Sequence, residues 1–309
     1  MKGTKVTMGD LWRTESALVR TGLLVAPLVL LGLVLLAEWH TCALALHQDQ
    51  AIDVFQRIFP EQLGQREALL EFVCEYPGAA ANREAVLAAH PHNALDRILA
   101  TVTVGLGPLG AALWGGLLVG MDFGLGTARV RAVHLGWRRV VAAKAGWIAA
   151  FAVLVTTTAV LAAAAAGPVS WAWLLRYSEL AGLLEPPAVE TVAAVQVLVT
   201  ALVLTSWGLL GATMALATRS ALAGTVLGIL LPYAEGVFLR PLANPLGLDW
   251  LLPWGLRAGL VADHFAHFIG DPGMVPEVSN PAWRWLAMGA WTVTLACVST
   301  WWAGRQELS

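Results

Sequence analysis

Apolar residues along this chain gather into six long runs: Thr21 to about Leu44, Ile98 to Met121, Ala145 to Gly167, Thr191 to Thr218, Ala221 to Leu239 and Ala282 to Ala303. Each approaches the ~20 residues that, at 1.5 Å rise, cross a hydrocarbon core about 30 Å thick. None alternates with a period of two, and backbone polar groups in lipid must be satisfied within the segment, so the runs predict helices rather than barrel strands. The pattern predicts an all-α polytopic membrane protein with six transmembrane helices.

The polar stretches between the runs carry patterns of their own. Met8 to Arg20 places Leu11, Trp12, Leu18 and Val19 near one helical face, as in an amphipathic N-terminal helix lying in the membrane interface, or alternatively in the first turns of a longer first span. Residues 47–97 between spans one and two are rich in charge, with helical patterns at Ile52 to Phe59 and Arg66 to Val73 and breaks at Pro60, Gly64, Pro77, Gly78 and Pro91. A small external helical cap follows, inserted into a single domain spanning residues 1–309. Arg240 to Pro281 is apolar but interrupted by Pro241, Pro245, Pro253 and Arg257, which predicts a re-entrant hairpin on the outer side between spans five and six.

Composition agrees, because 58% hydrophobic and 13% charged residues, with mean hydropathy +0.67, exceed what a soluble domain of 309 residues can bury. Charge sets the orientation. With the N-terminus inside, residues 1–20, 122–144, 219–220 and 304–309 hold eleven of the nineteen Lys and Arg and only four acids, Asp10, Glu15, Asp122 and Glu307. Both termini are therefore predicted cytoplasmic, in a multi-pass protein of a bacterial plasma membrane, with lipid as a partner and nucleic acid not expected. Lys2, Lys5, Arg13 and Arg20 before the apolar run resemble a signal peptide, but no small-x-small cleavage site follows, and removal is not expected.

The chain has no P-loop: nothing reads GxxxxGK[ST], so any ATP-driven work needs a second protein. The charged loop Asp122 to Lys144, DFGLGTARVRAVHLGWRRVVAAK, suits a partner surface. Arg129, Arg131, Arg138 and Arg139 can meet carboxylates, and Val130, Val133, Leu135 and Trp137 can act as apolar anchors. The alternative is that these basic residues only enforce topology and bind anionic lipid.

The register Asp122, Gly126, Thr127, Arg129, Arg138 and Lys144 resembles the type-two permeases of ATP-binding-cassette exporters, whose loop after span two reads E-x3-G-T-x-R, then Pro and Ser or Thr before an Arg, then a Lys. Asp122 stands at the family Glu, and Gly136-Trp137 replaces the Pro-Ser/Thr pair. The resemblance implies a permease subunit without enzymatic activity, paired with a second copy or a homologue. It also implies separate nucleotide-binding ATPase subunits, carrying ATP and Mg, docked on the loop. No cofactor is expected in this chain.

Glu235 and the neighbouring Tyr233 in span five are pathway candidates, because a mid-bilayer charge costs roughly 2.5–3.5 kcal/mol; the alternative is that Glu235 sits high in a short span, near Arg240, and reaches outer water. Cys42 and Cys74 fall on the outer side, where a disulfide is possible, and free thiols are the alternative. His264 and His267, spaced i,i+3 beside Asp263, are weak metal candidates, and no metal is assigned. The apolar spans favour a hydrophobic or amphipathic cargo, such as a lipid, antibiotic or peptide. Two alternatives stay open: a complex that senses or acts on an extracellular ligand without transport, and a metal-linked membrane enzyme.

Overall fold

The computed structural model describes residues 16–47, 50–59, 68, 71–72, 75, 86–87, 89–104, 106–178, 181–182, 193–247 and 281–306. Among these the regular structure is helical throughout: α1 (Ser16–His47), α2 (Gln50–Ile58), α3 (Pro91–Val104), α4 (Leu106–Gly124), α5 (Thr127–Leu135), α6 (Trp137–Tyr177), α7 (Ala193–Thr218), α8 (Ala221–Leu246) and α9 (Pro281–Gln306).

Three stretches, Trp137–Tyr177, Gln196–Thr218 and Leu286–Arg305, are long and apolar enough to cross a membrane. Pro91–Thr103 and Gly107–Gly124, bent by 44°, add a fourth if they form one span. Leu28–Ala43 and Ala221–Pro232 are shorter apolar stretches. These are the lengths and composition of a helical membrane protein.

Several predicted boundaries move. Ser16 to Arg20, the end of the expected interfacial helix, are the first turns of α1; residues 1–15 lie outside the described residues. The third apolar run covers Ala145 to Gly167, yet α6 extends over 41 residues, about 60 Å, because the helix hydrogen bonding continues through WRRVVAAK before the run and PVSWAWLLRY after it. Pro168 lies within it. α8 likewise continues seven residues into the expected hairpin, since Pro241 and Pro245 keep a helical φ and the helix stops only before Gly247, at φ 65°. Residues 248–280 lie outside the described residues.

α7 is the central helix, packed against α3, α4, α6, α8 and α9. Small residues allow the closest approaches: a Cβ on Gly115 of α4 would sit 1.8 Å from the Gly208 carbonyl oxygen of α7. Without a hydrophobic force between helices in lipid, such backbone approach and interhelical hydrogen bonds supply the association. Ser206 Oγ lies 2.6 Å from Thr292 Oγ1, and Thr213 Oγ1 lies 2.6 Å from Ser299 Oγ. The seven-residue step on both partners makes α7 and α9 parallel. Gly224 against Ala215 and Gly228 against Gly211 make α8 antiparallel to α7.

At the far end of the bundle from Asp122, the rings of His90, His92 and Trp171 meet, with His90 4.6 Å from Trp171 and stacked at 5.0 Å on His92. His90 Nδ1 accepts the His92 backbone N–H at 3.3 Å. Burial pulls the His90 imidazole below its ordinary range, and His92 beside it adds to the effect. The fold therefore favours neutral His90. This contribution is intact above about pH 6.5 and is lost as pH falls through the depressed folded value. A thermal-unfolding series from pH 8 to pH 5 should show this acid loss, and His90→Gln should flatten it; an unchanged slope would exclude His90 as its source.

Candidate functional site

The loop after α4 folds into two glycine turns around a short helix. Gly126 (φ 70°) leads into α5, and Gly136 (φ 77°, ψ 116°) joins α5 to α6. A positive φ suits glycine and excludes proline, whose ring holds φ near −65°, so both turns take glycine.

The charged residues divide into an internal set and an external one. Asp122, in the last turn of α4, is 4% exposed, and Lys144, two turns into α6, is 1% exposed. Lys144 Nζ stands 2.8 Å from Asp122 Oδ2 and also donates to the Leu118 carbonyl. Thr127 Oγ1 donates to Asp122 Oδ1 at 3.1 Å, and an Arg131 guanidinium nitrogen lies 3.4 Å from the same oxygen. One carboxylate thus joins α4, α5 and α6. Desolvated charges are tolerated when paired and hydrogen-bonded, and this pair meets both conditions.

The external set faces away from the bundle. α5 has no buried residue, and Arg129, Arg138 and Arg139 are exposed. Val130 and Val133 are exposed among them, the latter at 77%, as is Leu125 in the preceding turn. Trp137 corrects an expectation: it is 2% exposed, packs edge-on against Phe123 at 5.5 Å, and belongs to the chain's own core rather than to a partner pocket. Leu135 is half-buried against that core. The aliphatic anchors on offer are Val130, Val133 and Leu125, the last of which loop spacing gave no reason to single out.

Of the other candidates, Glu235 is half-buried in α8. The Tyr233 side chain, Cys74, His264 and His267 lie outside the described residues. Cys42 is a buried free thiol 3.9 Å from the Ser170 carbonyl oxygen, and its candidate partner Cys74 lies outside the described residues.

Sequence reasoning missed a buried ion pair. Arg97 of α3 grips Glu38 of α1, with Nε 3.0 Å from Oε1 and Nη2 2.6 and 2.7 Å from Oε1 and Oε2. Glu38 falls within the first apolar run, Thr21 to about Leu44, and Arg97 closes the polar stretch 47–97. The available signal was one acid and one base of opposite sign at the same predicted depth.

Between α1, α4 and α6 lies a cavity of about 270 Å³, walled by Val29, Leu33, Gly110, Trp114, Phe151 and Val155 among others. Trp114 stacks on Phe151 at 5.2 Å. The described lining is apolar apart from the Trp114 indole N–H.

No protein-family model, curated protein or solved structure matches the chain, so the site is interpreted from its own residues and geometry.

Proposed function

We propose that this chain is the membrane permease subunit of an ATP-binding-cassette exporter, with six spans, cytoplasmic termini and separate ATPase subunits docking on α5 and the first turn of α6. The observation that carries this reading is the division within the loop. α5, with no buried residue, exposes Arg129, Val130 and Val133, and the first turn of α6 exposes Arg138 and Arg139, while the base of α5 is tied into α4 and α6 through Asp122. Arginine forks suit carboxylates, and aliphatic side chains between them suit a shallow apolar cleft. Topology enforcement alone needs the charges but gives no role to exposed valines at 58% and 77%.

In this reading the partner holds ATP and Mg and supplies the energy. Two permeases, identical or homologous, enclose the pathway. The largely apolar cavity between α1, α4 and α6 suits a hydrophobic or amphipathic cargo, because the Trp114 indole N–H is the one side-chain polar group its described lining offers.

The test is co-purification from native membranes. The chain should bring down a P-loop ATPase with measurable ATP hydrolysis, and the variant Arg138→Glu/Arg139→Glu should retain it at least about tenfold less well, since two reversed charges face the same carboxylates. No ATPase with the unmodified chain, or equal recovery with the variant, would sink the docking claim.

A further inference from the structure

We propose that Asp122 is a positioning residue: its carboxylate is the rigid link by which displacement of α5 reaches α4 and α6, with Lys144 as its fixed counter-charge. The mechanical role rests on the docking reading above; the link itself rests on geometry alone.

Three observations converge on it. First, α5 is joined to its neighbours at each end by a glycine with positive φ, Gly126 and Gly136, so the backbone connections on both sides are turns rather than continuous helix. Second, none of the side chains of α5 is fully buried, and its apolar contact with the core is limited to the partly buried Ala128, Ala132 and Leu135. Third, two side chains of α5 turn to the same residue of α4: Thr127 donates to Asp122 Oδ1 at 3.1 Å and to its backbone carbonyl at 3.4 Å, and Arg131 lies 3.4 and 3.5 Å from the two carboxylate oxygens.

The far side of the link is stiff. Lys144 holds Asp122 Oδ2 at 2.8 Å and spends a second proton on the Leu118 carbonyl, so its ammonium fastens α6 to the last turns of α4. Both charged residues are almost fully desolvated, at 4% and 1% exposure, where an ion pair keeps one geometry instead of exchanging with water. A push on α5 is therefore delivered to two membrane helices together. Arg129 and Arg139 are exposed at the surface, which separates the residues that bind from the residue that transmits.

Amide hydrogen exchange on the full chain in nanodiscs tests the link. Thr127→Val/Arg131→Met cuts only the α5 side and leaves the Asp122–Lys144 pair intact. Exchange across residues 127–135 should rise roughly tenfold, the factor for losing about one hydrogen bond, while α7 and the unfolding midpoint stay unchanged. Asp122→Leu/Lys144→Met, which removes both buried charges together, should loosen the same segment, and Asp122→Glu should preserve its protection. Unchanged exchange in 127–135 in the first variant, or equal loosening of α7, would overturn the proposal. These outcomes require no ATPase, so a failure of docking and a failure of the link are read separately. Where an ATPase co-purifies, adding Mg and ATP should alter exchange in 127–135 and around Lys144 in the unmodified chain, but only in 127–135 in Thr127→Val/Arg131→Met; an unchanged response around Lys144 in that variant would also overturn the link.

Discussion

Arg97→Met should destabilise the chain by about 3–5 kcal/mol, the cost of leaving a buried charge without its partner. Glu38 is 3% exposed, and both of its oxygens are held by the Arg97 guanidinium at 2.6–3.0 Å. Methionine fills much of the space of the arginine stem but offers no donor. The carboxylate must then stay charged without compensation, take up a proton, or drag its end of α1 toward water, and each course costs stability. Removing both charges in Glu38→Leu/Arg97→Met should recover most of the loss, because an ion pair and well-packed apolar residues of similar volume often balance within a few kcal/mol. Denaturant-induced unfolding in mild detergent measures both. A single variant within about 1 kcal/mol of the parent would show that this pair does not hold α1 to α3.

Gly115→Val should have a comparable effect by another route. A Cβ there would lie 1.8 Å from the Gly208 carbonyl oxygen and 2.7 Å from its carbon, both backbone atoms of the central helix, so no side-chain rotation relieves the clash. α4 and α7 would have to separate, losing dispersion contacts along their shared face and disturbing the neighbouring approach of Gly211 to Ala112. A loss of about 2–3 kcal/mol is expected, the upper part of the usual overpacking range. Gly110→Val is the internal control: it lies on the same helix, but its Cβ would meet nothing within 4 Å, so a change below about 0.5 kcal/mol is expected. Equal effects at the two positions would mean that helix propensity, not close packing, decides the outcome.

The loop shows how far residue spacing carries an interpretation. Asp122, Gly126, Thr127, Arg129, Arg131, Arg138, Arg139 and Lys144 could all be singled out as a set from order and charge. Spacing treats them as one class, whereas the fold divides them, because the register of α4 against α6 turns Asp122 and Lys144 toward each other and leaves Arg129, Arg138 and Arg139 outside. Trp137 illustrates the limit. An aromatic residue in a basic loop suits a partner pocket or its own core equally well until Phe123 is found 5.5 Å away. Gly136 joins α5 to α6 at φ 77°, a conformation that glycine adopts without strain and that spacing alone does not reveal.

Hydropathy alone determined that this is a helical chain with membrane-crossing stretches, and the charge pattern alone marked the loop, because both are sums over neighbouring residues that need no knowledge of distant ones. It located apolar runs but not helix ends: α6 outlasts its run by eight residues at the start and ten at the finish, since hydropathy gauges the solvent a residue prefers, not whether the backbone hydrogen bonds continue. Tertiary structure alone decided that Glu38 meets Arg97, that Ser206 and Thr213 meet Thr292 and Ser299, and that Asp122 gathers three helices. Each of these is a contact between residues far apart in the chain, chosen by which helix faces pack together. In a membrane those faces are selected by close backbone approach and paired polar groups, terms that no average over adjacent residues contains.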